Sequence, residues 1–389
     1  MKNVTREAPD PLHPGEPWTP LAGPEAARPR PGAAPLRVLL IAPSMDILGG
    51  QAVQAALLLA GLRQEPGLEV VFQPVNPRLP GFLRALQRVK GLRTALTMAL
   101  YYPQLLWRIS QCRLVHLFTA GKTSYALWTV PAMLVSRLFG KRLILNYHDG
   151  RIEEHLAKWR IARPTMRLAD RIVTPSDYVV KVLATHGLAA SRIYNVLEAG
   201  RLRYRQRRRL RPVFLTNRGL EPEYNVPCVL RAFALVQKRY PEASLDIAHD
   251  GQCRPALEQL ARDLGLRHTR FLGRVPHHQI PELYDSADIY LTGSNVDCMP
   301  GSVLECFASG MPVVATRAGG VPYLVTHEKT GLLVDLNDHE AMAQGAFRLL
   351  EDPDLVERLT LHARPQLEHY SWAKIGGQWL EVYRDLAGE

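Results

Sequence analysis

The chain has no recurring cysteine pattern. Its five cysteines, Cys112, Cys228, Cys253, Cys298 and Cys306, are odd in number and show neither C-x-x-C nor Cys/His spacing. The sequence therefore offers no disulfide framework and no zinc site, and points to a reducing cytoplasm. Residues 1–35 hold nine prolines and no continuous apolar stretch, which excludes a signal-peptide core and reads as a flexible proline-rich tail. Nowhere do about 18 clean apolar residues accumulate. The blocks GFLRALQRVKGLRTALTMALYYPQLLW and YALWTVPAMLVSRLF are both interrupted by polar, charged or proline residues, so a spanning helix is not expected. Short-period repeats are missing, which excludes a solenoid.

Acidic residues are missing between Glu69 and Asp149, where eleven Arg and Lys residues run from Arg78 to Arg142 within a chain of formal charge +11. Two readings stay open. A basic, apolar surface helix near residues 81–100 can lie on an anionic leaflet, where each nearby cation contributes roughly 1 kcal/mol; alternatively it is a core helix with a solvated basic edge. A second basic run, RLRYRQRRRLR, places seven arginines in residues 201–211. It reads as a solvated linker, with contact to an anionic lipid, polymer or acceptor as the alternative. No zinc finger or aromatic RNP strand accompanies it, so nucleic acid is not an expected partner.

What is present is a soluble α/β pattern. The chain's 389 residues, 47% hydrophobic and 22% charged, suffice for two domains. From residue 37, short β-branched runs alternate with longer amphipathic ones: RVLLIA, EVVFQPV, CRLVHLF, RLILNYH and RIVTPS, then, after the arginine run, PVFLTN, SLDIAHD, HTRFLGR, DIYLTGS and PVVAT. Helices are expected between them, including 123–138, 177–186, 226–240, 253–264, 302–310 and 338–351. Strand–helix alternation predicts parallel sheets covered on both faces, hence two Rossmann-like domains. The expected boundaries are a tail at 1–35, a first domain at 36–196, a linker at 197–212, a second domain at 213–370 and a C-terminal helix at 371–389.

The most informative stretch is DCMPGSVLE, in which Asp297 and Glu305 stand eight positions apart. Pro300 and Gly301 break the preceding structure, Ser302 is a suitable N-cap, and a helix should run to Gly310. The free N–H groups and positive dipole end at 299–303 suit a phosphate, while Glu305 one turn in can accept from sugar hydroxyls. Ser302 and Glu305 equally spell a capping box, in which the glutamate only satisfies the helix N-terminus.

In their order, FLGRVPHHQIPELYDSADIYLTGS, D-x7-E, GMPVVAT, AGGVPYLV, TGLLVDLND and YSW, with Gly49-Gly50, NYHDG and LADRIVTPSDYVVKVLATHGL ahead of them, resemble GT-B-type glycosyltransferases of family 4. The resemblance covers nearly everything after residue 35. It implies an acceptor domain followed by a nucleotide-sugar-binding domain, facing across a cleft, with the C-terminal helix packing back on the first. It also implies a retaining, metal-independent transfer from a nucleoside-diphosphate sugar to a glycan, lipid-linked or small-molecule acceptor, with no cofactor. Arg218 matches the arginine gripping the diphosphate, Glu305 the glutamate holding the ribose hydroxyls, and Asp297 the first acid of the pair. His148 matches the histidine at the donor sugar; a structural strand-end histidine is the alternative. Gly49 and Gly50 fit a close approach to phosphate or acceptor, or a plain turn. Gly251, Val275, Met299, Gly301, Ser302 and Val303 complete the implied donor site.

The chain departs from that pattern at Tyr224, where the family usually has a lysine paired with the arginine. A phenol donates one hydrogen bond and carries no charge near neutral pH, so leaving-group stabilisation must rest on Arg218 or come from elsewhere. NVLEAG stands for P-N-G, AHDGQ keeps only Gly251 of a G-x-G, and Cys298 stands where glycine is common. A catalytically weakened, transferase-like binding subunit of a polysaccharide assembly system is therefore the second reading. A nucleotide-sugar epimerase, expected to lack both YSW and D-x7-E, is the third.

Overall fold

The computed structural model describes residues 35–46, 49–77 and 92–388. Within the first domain the order is β1 (Leu36–Ala42), α1 (Gly50–Leu62), β2 (Leu68–Pro74), α2 (Leu92–Gln111), β3 (Leu114–Thr119), α3 (Lys122–Ser124), α4 (Val130–Leu138), β4 (Arg142–Tyr147), α5 (Ile152–Lys158), α6 (Ala162–Met166), β5 (Arg171–Thr174), α7 (Asp177–Thr185) and β6 (Ser191–Arg192). The second continues through β7 (Val213–Thr216), α8 (Val226–Arg239), β8 (Ser244–Ala248), α9 (Arg254–Asp263), β9 (Thr269–Gly273), α10 (Ile280–Ser286), β10 (Ile289–Thr292), α11 (Gly301–Ser309), β11 (Val313–Thr316), β12 (Leu332–Val334), α12 (His339–Glu351), α13 (Pro353–Ala363) and α14 (Trp372–Ala387). Both sheets are parallel and six-stranded, in the orders β2-β1-β3-β4-β5-β6 and β12-β11-β10-β7-β8-β9. Strand order reverses between β1 and β3 in one sheet and between β7 and β10 in the other, which opens a crevice at the carboxyl ends of both pairs.

Unbroken apolar strands follow from burial on both faces. In β1, Leu39 and Ile41 join one core, while Val38, Leu40 and Ala42 join the other. That second core is closed by α1 and by α14, which returns from the far end of the chain with Trp372, Ile375, Trp379 and Tyr383. Gly61 of α1 makes the approach possible: a Cβ there would lie 2.4 Å from the Trp372 ring. Tyr383 Oη lies 2.7 Å from Nδ1 of fully buried His116, whose Nε2 is 3.1 Å from Asn146 Nδ2.

Two expectations based on charge need correction. Residues 201–211 are a solvated linker only in part: Arg203, Arg208, Arg209 and Arg211 are exposed, but the run is also laced onto the second domain as a strap. Arg207 is buried and donates to the carbonyls of Ser309, Tyr284 (2.8 Å) and Ala287 (2.9 Å), satisfying orphan groups where α10 and α11 end. Arg205 and Arg211 converge on buried Asp288, and Arg208 meets Asp354 and Glu357. Nor are the 69–149 cations all without counter-charge: Arg137 and Arg142 pair with Asp170, and Lys122 with Glu154, acids from beyond that window. The helix expected near 81–100 is described only from Leu92 and extends to Gln111 with Pro103 inside; its first part, like the proline-rich tail before residue 35, lies outside the described residues.

Trp379, 3% exposed with its ring 4.4 Å from that of His116, should be a main anchor of α14. Trp379→Ala is expected to lower stability by about 3–5 kcal/mol, read as an earlier midpoint for first-domain unfolding in urea.

Candidate active site between the two domains

Loops at both sheet reversals meet around a cavity of about 330 Å³ lined by Gly49, Gly50, His148, Asp149, Gly150, Arg151, Arg218, Glu223, Tyr224, Asp297, Met299 and Gly301, among others. The first domain contributes the residues following β1 and β4. Those following β7 and β10, together with the start of α11, come from the second. Thus His148, Asp297, Arg218, Gly49, Gly50, Tyr224, Met299 and Gly301, all anticipated from the sequence, share one space.

Arg218 Nη2 donates to Asp297 Oδ2 at 2.6 Å, and its guanidinium lies 4.4 Å from the centre of the Tyr224 ring. Tyr224 therefore supports the arginine through its π face. Burial works against the guanidinium's charge, but Asp297 beside it holds the pKa above the ordinary arginine value. His148 stacks on Phe118 at 4.8 Å, and its Nε2 is buried without a partner. Burial pushes its pKa down to about 3, so the imidazole is neutral near pH 7 and can offer the cleft a hydrogen bond rather than a charge.

Glu305 lies one turn into α11 and lines a smaller adjoining cavity with Gly301, Arg201 and His277. Its carboxylate accepts from Tyr284 Oη at 2.6 Å, and burial pushes its pKa up. The capping box does not form. The N-cap is Pro300, and the Ser302 hydroxyl instead accepts from Tyr290 Oη at 2.9 Å. Val303 N–H donates to the Pro300 carbonyl rather than facing the cleft. Neither cavity is lined by Ser302, Val303, Val275 or Gly251. Val275 packs against the core beside α11. Gly251 buttresses the loop carrying Arg218, since a Cβ there would lie 2.5 Å from the Leu220 carbonyl oxygen.

Sequence reading missed three charged residues of the cleft. Asp149 accepts from the N–H groups of Gly121 (3.0 Å) and Arg151 (2.9 Å), and from Arg151 Nε and Nη2 at 3.2 and 3.3 Å. Arg151 Nη1 reaches across the domains to Glu223 Oε1 at 2.7 Å. NYHDGR displayed Asp149 and Arg151, but a partner 72 positions away leaves no local signal.

Comparisons with known proteins bear on the fold and on the reaction class of similar chains. Residues 204–366 match the family model for glycosyl transferases group 1. That match falls on the strap and the second domain. A D-inositol 3-phosphate glycosyltransferase from Corynebacterium urealyticum is 36% identical over 166 residues, 41% of this chain and 39% of that protein. This alignment spans about two fifths of the relative's length. An alpha-D-kanosaminyltransferase from Streptomyces kanamyceticus is 28% identical over 282 residues, 65% of this chain and 73% of the relative. In overall shape the chain is similar to Anabaena HepE, crystallised with UDP and glucose, at a TM-score of 0.69 and 18% identity over 90% of this chain and 100% of that one. The fold is GT-B.

Asp149 gives a pH test. Burial pushes its pKa up, but the Arg151 and Gly121 hydrogen bonds outweigh this and the net shift is downward. A depressed folded-state pKa adds stability that is complete above the ordinary carboxylate value of about 3.9 and lost as pH falls through the lower folded value. Asp149→Asn should therefore lower the urea midpoint by a constant amount from pH 8 to about 5, and the gap should shrink below about pH 4.

Proposed function

We propose that the protein is a retaining glycosyltransferase that moves a sugar from a nucleoside-diphosphate sugar to a glycan, lipid-linked or small-molecule acceptor. The observation carrying this reading is the convergence of Arg218, Asp297, His148 and the N-terminus of α11 on one cavity between two Rossmann-like domains. The similarity to an inositol-phosphate glycosyltransferase and a kanosaminyltransferase supports sugar transfer as the reaction class.

In this mechanism the nucleotide lies on the second domain, its ribose hydroxyls held by Glu305 and its diphosphate by Arg218 and the start of α11. Neutral His148 faces the sugar. The acceptor hydroxyl attacks the anomeric carbon from the face that the diphosphate leaves; the C–O bond to the β-phosphate breaks, and a β-phosphate oxygen takes the acceptor's proton. Configuration is retained. Asp297 serves as a hydrogen-bonding and electrostatic residue, because its oxygen is committed to Arg218. No metal ion or cofactor is part of the proposal: guanidinium and helix-end donors aimed at the leaving group can each contribute roughly 2.7–4 kcal/mol.

A panel of UDP-, GDP-, ADP- and TDP-sugars should show release of one nucleoside diphosphate. Glu305→Ala should weaken donor binding and turnover by about 10-fold or more; unchanged values would remove Glu305 from the site. Nucleotide binding with no release from any donor, the outcome that Tyr224 keeps in view, would favour the binding-subunit reading.

We also propose peripheral contact with an anionic membrane at the cytoplasmic face. The ends of α2 and α4 are tied together by Lys141 Nζ, which donates to the Ser110 carbonyl at 3.0 Å. They leave Trp107 64% and Leu138 82% exposed, with Leu106, Leu134 and Phe139 also uncovered, beside Arg142 and Lys141. Among the described residues no helix is long and apolar enough to cross a membrane. The protein should sediment with phosphatidylglycerol liposomes at low salt, and the double variant Trp107→Ser, Leu138→Ser should not; failure of the parent to sediment would end this proposal.

A further inference from the structure

Beside Arg218 and Tyr224 of the second domain, the first domain brings another guanidinium, that of Arg151, to the cavity wall. We propose that Arg151 supplies the second positive charge for the donor diphosphate, and that Glu223 occupies its guanidinium until the diphosphate displaces it. This rests on the reading of the cleft as a nucleoside-diphosphate-sugar site.

The geometry carries the inference. Arg151 and Arg218 line the same cavity, one from each domain, with Tyr224 and Gly301 between the same walls. Glu223 immediately precedes Tyr224 in the short turn Pro222–Tyr224, so Arg151 Nη1, at 2.7 Å from Glu223, already touches the loop in which a lysine would stand. The Tyr224 phenol is coupled electrostatically to both guanidiniums, first to Arg218 and more weakly to Arg151. The two contacts of Arg151 differ in kind. Asp149 is buried and fixed by the Gly121 N–H, and holds the Nε and Nη2 edge in place. Glu223, 24% exposed at the cavity wall, holds only Nη1. One edge is thus anchored and the other carries an exchangeable anion. Arginine suits this division, because its planar fork can serve a carboxylate on one side and a phosphate on the other.

Charge balance makes Glu223 the group that must yield. Around the cavity Asp149, Glu223 and Asp297 set three carboxylates against two guanidiniums. A diphosphate entering that arrangement meets net negative charge, which is relieved when Glu223 swings to solvent and phosphate oxygens take its place on Arg151. The cross-domain ion pair would then be exchanged for a phosphate bridging Arg151 and Arg218, so the same residue that links the two domains also grips the ligand.

Calorimetric titration of the full chain with UDP, GDP, ADP or TDP, and with the corresponding monophosphate and nucleoside, tests this. Arg151→Gln should weaken the diphosphate bound by the parent by about 10-fold or more while leaving the nucleoside unchanged, and Arg151→Lys should recover part of the loss. Glu223→Gln, which removes the competing charge and keeps the Asp149 anchor, should tighten the diphosphate several-fold. If both Gln variants bind the diphosphate within twofold of the parent, or if Arg151→Gln weakens nucleoside and diphosphate alike, the assignment is overturned while the cleft remains a nucleotide site. A parent that binds none of the nucleotides overturns the reading of the cleft itself.

Discussion

The loop at Asp297 and Cys298 is the constraint on which the rest of the molecule turns. Its backbone is pressed by glycine from both domains: a Cβ on Gly150 would lie 2.6 Å from the Asp297 carbonyl carbon, one on Gly319 2.3 Å from the Asp297 carbonyl oxygen, and one on Gly320 1.7 Å from the Cys298 carbonyl oxygen. Gly320 N–H donates to the Asp297 carbonyl at 2.9 Å. Such approaches leave no room for a side chain. Held this way, Asp297 presents its carboxylate to Arg218, and α11 starts with its N-terminus in the cavity. Cys298 inserts among the first domain's core residues. The cysteine thereby acts as an apolar peg between the domains as well as a loop residue.

Charge is managed differently in the strap and in the cleft. Arg207 is desolvated, which pushes its pKa down to about 10, yet it is surrounded by helix-end carbonyls and Asp288. All of these partners lie within one domain, although Arg205 Nε and Arg207 Nε are buried without a hydrogen-bond acceptor. In the cleft, Arg151 is paired with Glu223 of the facing domain and Arg218 with Asp297 of its own, and neutral His148 retains an unpartnered ring nitrogen. The cleft differs in that one of its ion pairs, Arg151–Glu223, joins the two domains.

Much of the architecture was legible because parallel strands buried on both faces must be apolar throughout, as RVLLIA and RLILNYH are. The ten strands read from the sequence are present; β6, with two residues, and β12, with three, are too short to leave a pattern. Ser302 misled because an S-x-x-E spacing describes what a serine can cap, whereas Tyr290 and Tyr284, distant in sequence, claim both side chains. The arginine run misled for a similar reason: its counter-charges at Asp288, Asp354 and Glu357 lie about 80 to 150 positions further on.

By itself the sequence determined two α/β units, their order, and several of the residues that line the cleft, because periodicity and local motifs report on the backbone around them. Only the tertiary structure decided which charges meet. The Arg151–Glu223 contact and the pairing of Arg205 and Arg211 with Asp288 each join segments brought together by packing rather than by spacing. An ion pair has no period, and its partner is chosen by whichever loops the two sheets bring to the same edge.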